Sequence, residues 1–157
     1  MINVNSGVSV QLQHESNPAL NTVTAYGPDY IEINEVAYRH AVYFGPEGEI
    51  HAWDIDTSAD IDRKVLQKIV GLATTTADPM DFLNGAAPKK PKDAPEILLI
   101  GTGLKHRLLP AAVTQPLLSL GIGVESMTTE AAARTYNILM TEGRRVVAAL
   151  LPNKEIA

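Results

Sequence analysis

Apolar residues change their spacing twice along this chain, and the changes divide it into stretches with different expected geometry. From Thr22 to Ile55 they come in short alternating runs broken by turn residues: Val23 to Tyr26, then Gly27-Pro28-Asp29, then Tyr30 to Ile33. After Asn34-Glu35 follow Val36 to Phe44, the turn Gly45-Pro46-Glu47-Gly48, and Glu49 to Trp53. Alternation sends successive side chains to opposite faces, so this stretch predicts an antiparallel meander. Asp56 to Asp62 then offers Ser and Asp capping groups. Beyond it, Ile61, Val65, Leu66, Ile69, Val70 and Ala73 fall on one face at helical spacing, predicting an amphipathic helix. From Glu96 the pattern changes again. Ile97 to Ile100 is a continuous apolar run, as in a strand covered on both faces. Pro110 suits the first turn of a helix to about Leu120, closed by Gly121, and Ile122 to Ser126 reads as the next strand. Thr128 or Thr129 caps a helix to Glu142, Gly143 ends it, and Arg144 to Leu151 gives a third buried strand. The C-terminal half therefore reads βαβαβ, and the whole is an α/β domain with a mixed sheet.

Between these parts the pattern lapses. Residues 1–20 are polar, without periodic apolar positions, and are expected to be a flexible N-terminal arm. A single domain should occupy residues 21–152, with 153–157 as a tail. The stretch 77–95 carries Pro79, Pro88, Pro91 and Pro95, which remove backbone donors and restrict their predecessors, so it reads as a long surface loop. Its lysines, Lys89, Lys90 and Lys92, read as solvated.

Composition narrows the functions open to such a domain. At 157 residues and 45% hydrophobic it can bury one full core. A net charge of -5 opposes a phosphate backbone, so no nucleic-acid partner is expected. The absence of cysteine removes disulfides, thiolate nucleophiles and cysteine-ligated metals. No apolar run approaches the roughly 20 residues that span a bilayer, and the start lacks the basic and apolar segments of a secretory signal. A soluble, cytoplasmic protein without membrane insertion is the expectation.

Candidate chemistry gathers at one turn. Gly101-Thr102-Gly103 leaves a buried strand ahead of a helix, where open α/β sheets place a ligand crevice, and Glu125 ends the next strand. A dinucleotide fingerprint would have glycine at position 106, where His106 stands, and the helix waits until Pro110. The alternative is that both glycines serve a tight turn. Lys105, His106 and Arg107 beside the turn could join free backbone N–H groups in holding a carboxylate or phosphate, or could be a solvated loop. A half-buried Glu125 would need a cation or N–H partner, or would act as an acid or base. Thr135, Tyr136 and Asn137 are costly choices in a helix and are expected to hydrogen-bond to the core or to a partner. His14, His40, His51 and His106 show no metal-ligand spacing, and GxSxG is absent, so no metal site, cofactor or catalytic residue is assigned.

Ile100-Gly101-Thr102-Gly103, Val124-Glu125-Ser126-Met127-Thr128-Thr129 and Thr135-Tyr136-Asn137-Ile138-Leu139, with Glu142-Gly143-Arg144-Arg145, resemble an uncharacterised Mth-type domain family. It includes a mitochondrial NADH dehydrogenase (complex I) assembly factor and an adipogenesis-associated protein. The likeness spans about Val23 to Leu151, taking in the Tyr26-Gly27 turn, the Gly45 to Gly48 hairpin and Trp53. It implies a three-layer α/β fold in a bacterial member, with Met127, Thr128, Thr135, Tyr136, Asn137, Gly143 and Arg144 as family-motif positions. It implies no reaction. Ala133 stands where relatives often carry cysteine. Two functions stay open. One is a non-enzymatic interaction or assembly module with a protein partner and an exposed patch around Tyr38, Tyr43, Trp53 and the Pro-rich loop. The other is a small-molecule or anion-binding protein, possible as an enzyme, using the Gly101 to Arg107 turn with Glu125.

Overall fold

A computed structural model describes residues 10–11, 20–71 and 90–153. The rest of the expected arm, most of the Pro-rich stretch and the last four residues lie outside the described residues. Strands β1 (Val10–Gln11), β2 (Val23–Gly27), β3 (Tyr30–Ile33) and β4 (Val36–Tyr38) form one antiparallel sheet in sequence order. Strands β5 (Val42–Phe44), β6 (His51–Ala52), β7 (Ile97–Gly101), β8 (Gly123–Met127) and β9 (Val146–Leu150) form a second sheet, ordered β6-β5-β9-β7-β8. In it β7 runs parallel to both neighbours, while β5 is antiparallel to β6 and β9. The βαβαβ reading holds, with α2 (Ala111–Leu118) and α3 (Thr129–Thr141) as the crossovers.

The expected meander is divided between the two sheets. Val36 to Phe44 is not one strand. Arg39 and His40 are exposed at its middle, Arg39 paired to Asp29 at 2.7 Å, and the chain leaves the first sheet there. A charged pair could not continue into the covered second sheet without losing its solvation. Thus β4 ends as an edge, with Val36 53% exposed, whereas β5 is enclosed between β6 and β9.

Helix α1 (Arg63–Ile69) starts where expected: Asp62 accepts a hydrogen bond from Val65 N at 2.8 Å. Just upstream, Thr57 and Asp60 form a reciprocal capping box. Gly121 and Gly143 both take positive φ, +79°, after α2 and α3, as helix-ending glycines do.

Two apolar clusters lie on opposite faces of the mixed sheet. Leu98, Ile100, Ala149 and Leu151 meet α1 and α2 through Leu66, Val70, Leu117 and Ile122. Leu99, Val146, Ala148 and Leu150 meet Ala132, Ala133, Tyr136 and Met140 of α3, together with Val23, Ile31 and Ile33 of the first sheet. The alternation along β7 is what feeds both sides, and each fully buried Leu or Ile contributes about 1.5–3 kcal/mol. Helix α3 therefore lies between the two sheets, the alanines allowing its close approach.

Candidate functional site

The end of β7 is a closed junction. A Cβ on Gly101 would fall 2.9 Å from both Cα and Oγ1 of Thr129 and 2.8 Å from Leu150, so only glycine admits the first turn of α3 against the strand. Gly103 has φ +95°, a left-handed conformation that side chains disfavour. Its N–H donates to Thr129 Oγ1 at 2.9 Å, and Thr129 N donates back to Gly103 O at 3.0 Å. Thr129 Oγ1 in turn donates to Leu151 O, tying in the end of β9. Thr102 N donates to Met127 O at 2.8 Å. The crossovers leave β7 and β8 toward opposite faces, which is the topological switch point where a nucleotide would enter. Here hydrogen bonds tie the strand ends to α3 at Gly101, and Gly103 gives the turn its left-handed conformation, while Thr102 and Gly103 also line a cleft on the other side.

The basic tripeptide lies on the α1/α2 side of the sheet. Thr102 Oγ1 fixes it, donating to Lys105 O at 2.8 Å and accepting from Arg107 N at 3.0 Å. His106 Nε2 lies 3.2 Å from Ser126 Oγ. Glu125 does not join them. It sits in mid-strand on edge strand β8, in register with Leu99, exposed, and alternation sends it to the face opposite Ser126. Arg144 is at the other end of the sheet, its Nε donating to Glu96 Oε2 at 2.7 Å. That hydrogen bond, aided by the guanidinium charge, holds the Glu96 carboxyl below its ordinary range.

The motif on α3 is internal wiring. Thr128 caps the helix, accepting from Ala131 N at 3.3 Å, and Thr135 Oγ1 approaches Met127 Sδ at 3.6 Å. Asn137 Oδ1 accepts from Val23 N at 3.0 Å while its Nδ2 donates to Val23 O at 2.8 Å. Tyr136 is fully buried, packs edge-on against Phe44 at 4.8 Å, and donates its hydroxyl to Asn21 O at 2.8 Å.

Burial raises the Tyr136 phenol above its usual value. A group whose folded pKa is raised supports folding fully below its unfolded value, near pH ~10, and loses that support as pH rises further. Urea midpoints should therefore fall above about pH 10, and fall less in Tyr136→Phe. An equal alkaline loss in the variant would exclude this phenol as the cause.

Sequence reasoning missed the wall opposite the basic turn. A cleft of about 1340 Å³ opens between residues 102–110 and the segment from Trp53 to Ala59, with Ala41, Ile61 and Leu151 also lining it. Trp53, expected on an exposed patch, is 6% exposed, and its indole N–H has no hydrogen-bond acceptor among the described residues. Its burial follows from Trp53 N donating to Ala41 O, which draws the ring against the α1 side. Tyr38 and Tyr43 are half-buried. A smaller cleft of about 660 Å³ lies at the opposite end, beside Arg144 and the Gly45 to Glu47 turn. Among the described residues no three His, Asp or Glu side chains gather as metal ligands, and no helix is long and apolar enough to cross a membrane.

Comparison with known proteins gives the relationship. The solution structure of a Bordetella pertussis protein, a Mth938-like domain, superposes with a TM-score of 0.73 at 50% identity, covering 93% of this chain and 94% of that one. An uncharacterised Rhodobacter capsulatus protein is 49% identical over 57 residues, 36% of this chain and 46% of its own length. Human NADH dehydrogenase [ubiquinone] 1 alpha subcomplex assembly factor 3 is 42% identical over 57 residues, 36% of this chain and 31% of its own. The chain thus spans under half the length of the curated relatives it matches. The model of a protein family of unknown function, DUF498/DUF598, matches residues 23–151, nearly the whole described domain, and the chain belongs to that family.

Proposed function

We propose that this domain is a non-enzymatic protein-interaction module of the assembly-factor kind, working in the cytoplasm on a subunit of an NADH dehydrogenase complex. The observation that carries the reading is the outer side of α2 with the end of the turn that leads into it. From Leu108 to Val124 there is no charged residue, yet Leu108 is 84% exposed and Leu118 47% exposed, with Ala111, Ala112 and Gln115 exposed around them. Pro116, inside this helix, also leaves the Ala112 carbonyl without its helical donor. An uncharged, apolar face with a spare acceptor suits a protein partner better than water. The assembly-factor relatives support a subunit of such a complex as the occupant, and the hydrogen-bonded junction at Gly101 argues against a nucleotide-dependent enzyme.

The test is crosslinked capture from the native host, using the wild-type chain and the Leu108→Glu/Leu118→Lys double variant. An NADH dehydrogenase subunit in stoichiometric yield should be captured by the wild type and lost by the variant. Stability should change by no more than about 0.5 kcal/mol per site, because both positions are on the surface. A subunit retained by the variant would remove α2 as the interface, and the consistent absence of any such subunit would remove the proposal itself.

A further inference from the structure

We infer that the cleft between the 102–110 turn and the 53–59 segment is a binding site for a small organic anion, a single carboxylate carried on an apolar body. Three features of the cleft converge on that chemistry. First, the turn offers an anion cradle: after the left-handed Gly103, the backbone N–H groups of Leu104, Lys105 and His106 make no hydrogen bond within the described residues. Successive free amides of this kind form an anion-binding concavity. Thr102 Oγ1 holds the cradle in shape from beneath by its bonds to Lys105 O and Arg107 N. Second, Lys105 and Arg107 are exposed on the cleft wall and have no acidic partner among the described residues, unlike Arg39, which is already paired to Asp29. Third, apolar side chains, among them Ala41, Ile61, Leu109 and Leu151, share the remaining lining with polar ones, and Trp53, which also lines the cleft, has a buried indole N–H without an acceptor among the described residues. An unsatisfied buried donor is rare and unfavourable, and a small turn of the ring toward the cleft would let a ligand acceptor relieve it.

The opposite wall sets the charge of the ligand. Asp54 and Asp56 line it, so a polyphosphate would meet repulsion that one carboxylate on the basic side avoids. Leu108 belongs both to this cleft and to the face proposed for a protein partner, so the variants used here leave Leu108 and Leu118 intact.

Trp53 is the chain's one tryptophan, so it reports on the cleft directly. The full chain, labelled with nitrogen-15, would be titrated with phenylacetate and, separately, with inorganic phosphate, following the amides of residues 104–107, the indole N–H and tryptophan fluorescence. Phenylacetate should shift the amides and the indole together and saturably. Phosphate should move the amides alone. In Lys105→Ala/Arg107→Ala, with an unchanged unfolding midpoint, phenylacetate should bind roughly tenfold more weakly, a difference of about 1.4 kcal/mol. No saturable shift from phenylacetate, equal affinity in the double variant, or phosphate matching phenylacetate at the indole would each overturn the site.

Discussion

Replacing Asn137 with alanine is expected to lower the unfolding free energy by about 2–5 kcal/mol, since two buried backbone groups lose their partner together and each costs about 1–3 kcal/mol unpaired. The side-chain amide spans Val23, accepting from its N–H and donating to its C=O, at a point where β2 meets α3. The neighbouring ladder cannot substitute, because β2 reaches β3 by other groups and shifts register between Val23 and Ala25. Asn137→Asp separates the two bonds. Its carboxylate could still accept from Val23 N but would face Val23 O without a proton, so the folded state favours the protonated acid and raises its pKa. Stability of that variant should then be greatest below the ordinary aspartate value and fall as pH rises, relative to wild type. Urea denaturation of the three proteins at pH 4 and 7 measures both effects, and an Asn137→Ala loss under about 1 kcal/mol would rule out the bridge as a structural tie.

Gly101→Val should lose about 3 kcal/mol or more, at or beyond the upper end of the overpacking range. The contact at Gly101 includes backbone, the Cα of Thr129, which cannot rotate away. Relief would require α3 to lift from the sheet, breaking the reciprocal bonds between Gly103 and Thr129 and the tie to Leu151. Gly123→Ala is the matched control on the neighbouring strand: its Cβ would lie 3.5 Å from the nearest atom, an ordinary contact. Chemical denaturation of both variants should separate them clearly. Similar midpoints for the two would mean that the junction yields more readily than its geometry implies.

The parallel half was legible because its signals are local. A doubly covered strand must be apolar throughout, as Ile97 to Ile100 is, and caps and stops such as Thr128, Gly121 and Gly143 act within a turn of where they stand. Tyr136 and Asn137 were legible as hydrogen-bonding residues, though not which backbone they reach, since Asn21 and Val23 are more than a hundred positions away. The meander misled because a strand's alternation carries no sign of which sheet it joins; only the exposed Arg39-His40 interruption marked the change. Glu125 was misplaced for a related reason. Proximity to a strand end in sequence does not fix the face, and one step of register separates it from Ser126 and the His106 turn. The cleft was invisible because its two walls, near Trp53 and near Lys105, become neighbours only after β5 and β7 both pair with β9.

That dependence on β9 also bears on how the chain is made. β5 finds its main partner only in β9, and the first sheet is covered only when α3 is in place beneath it. During synthesis Ile31, Ile33, Val42 and Phe44 would emerge without their cover until α3 and β9 have left the ribosome. Completion of this domain therefore waits on β9 and engages both sheets at once, and a growing chain must keep its apolar strands from foreign partners until more than a hundred further residues have been made.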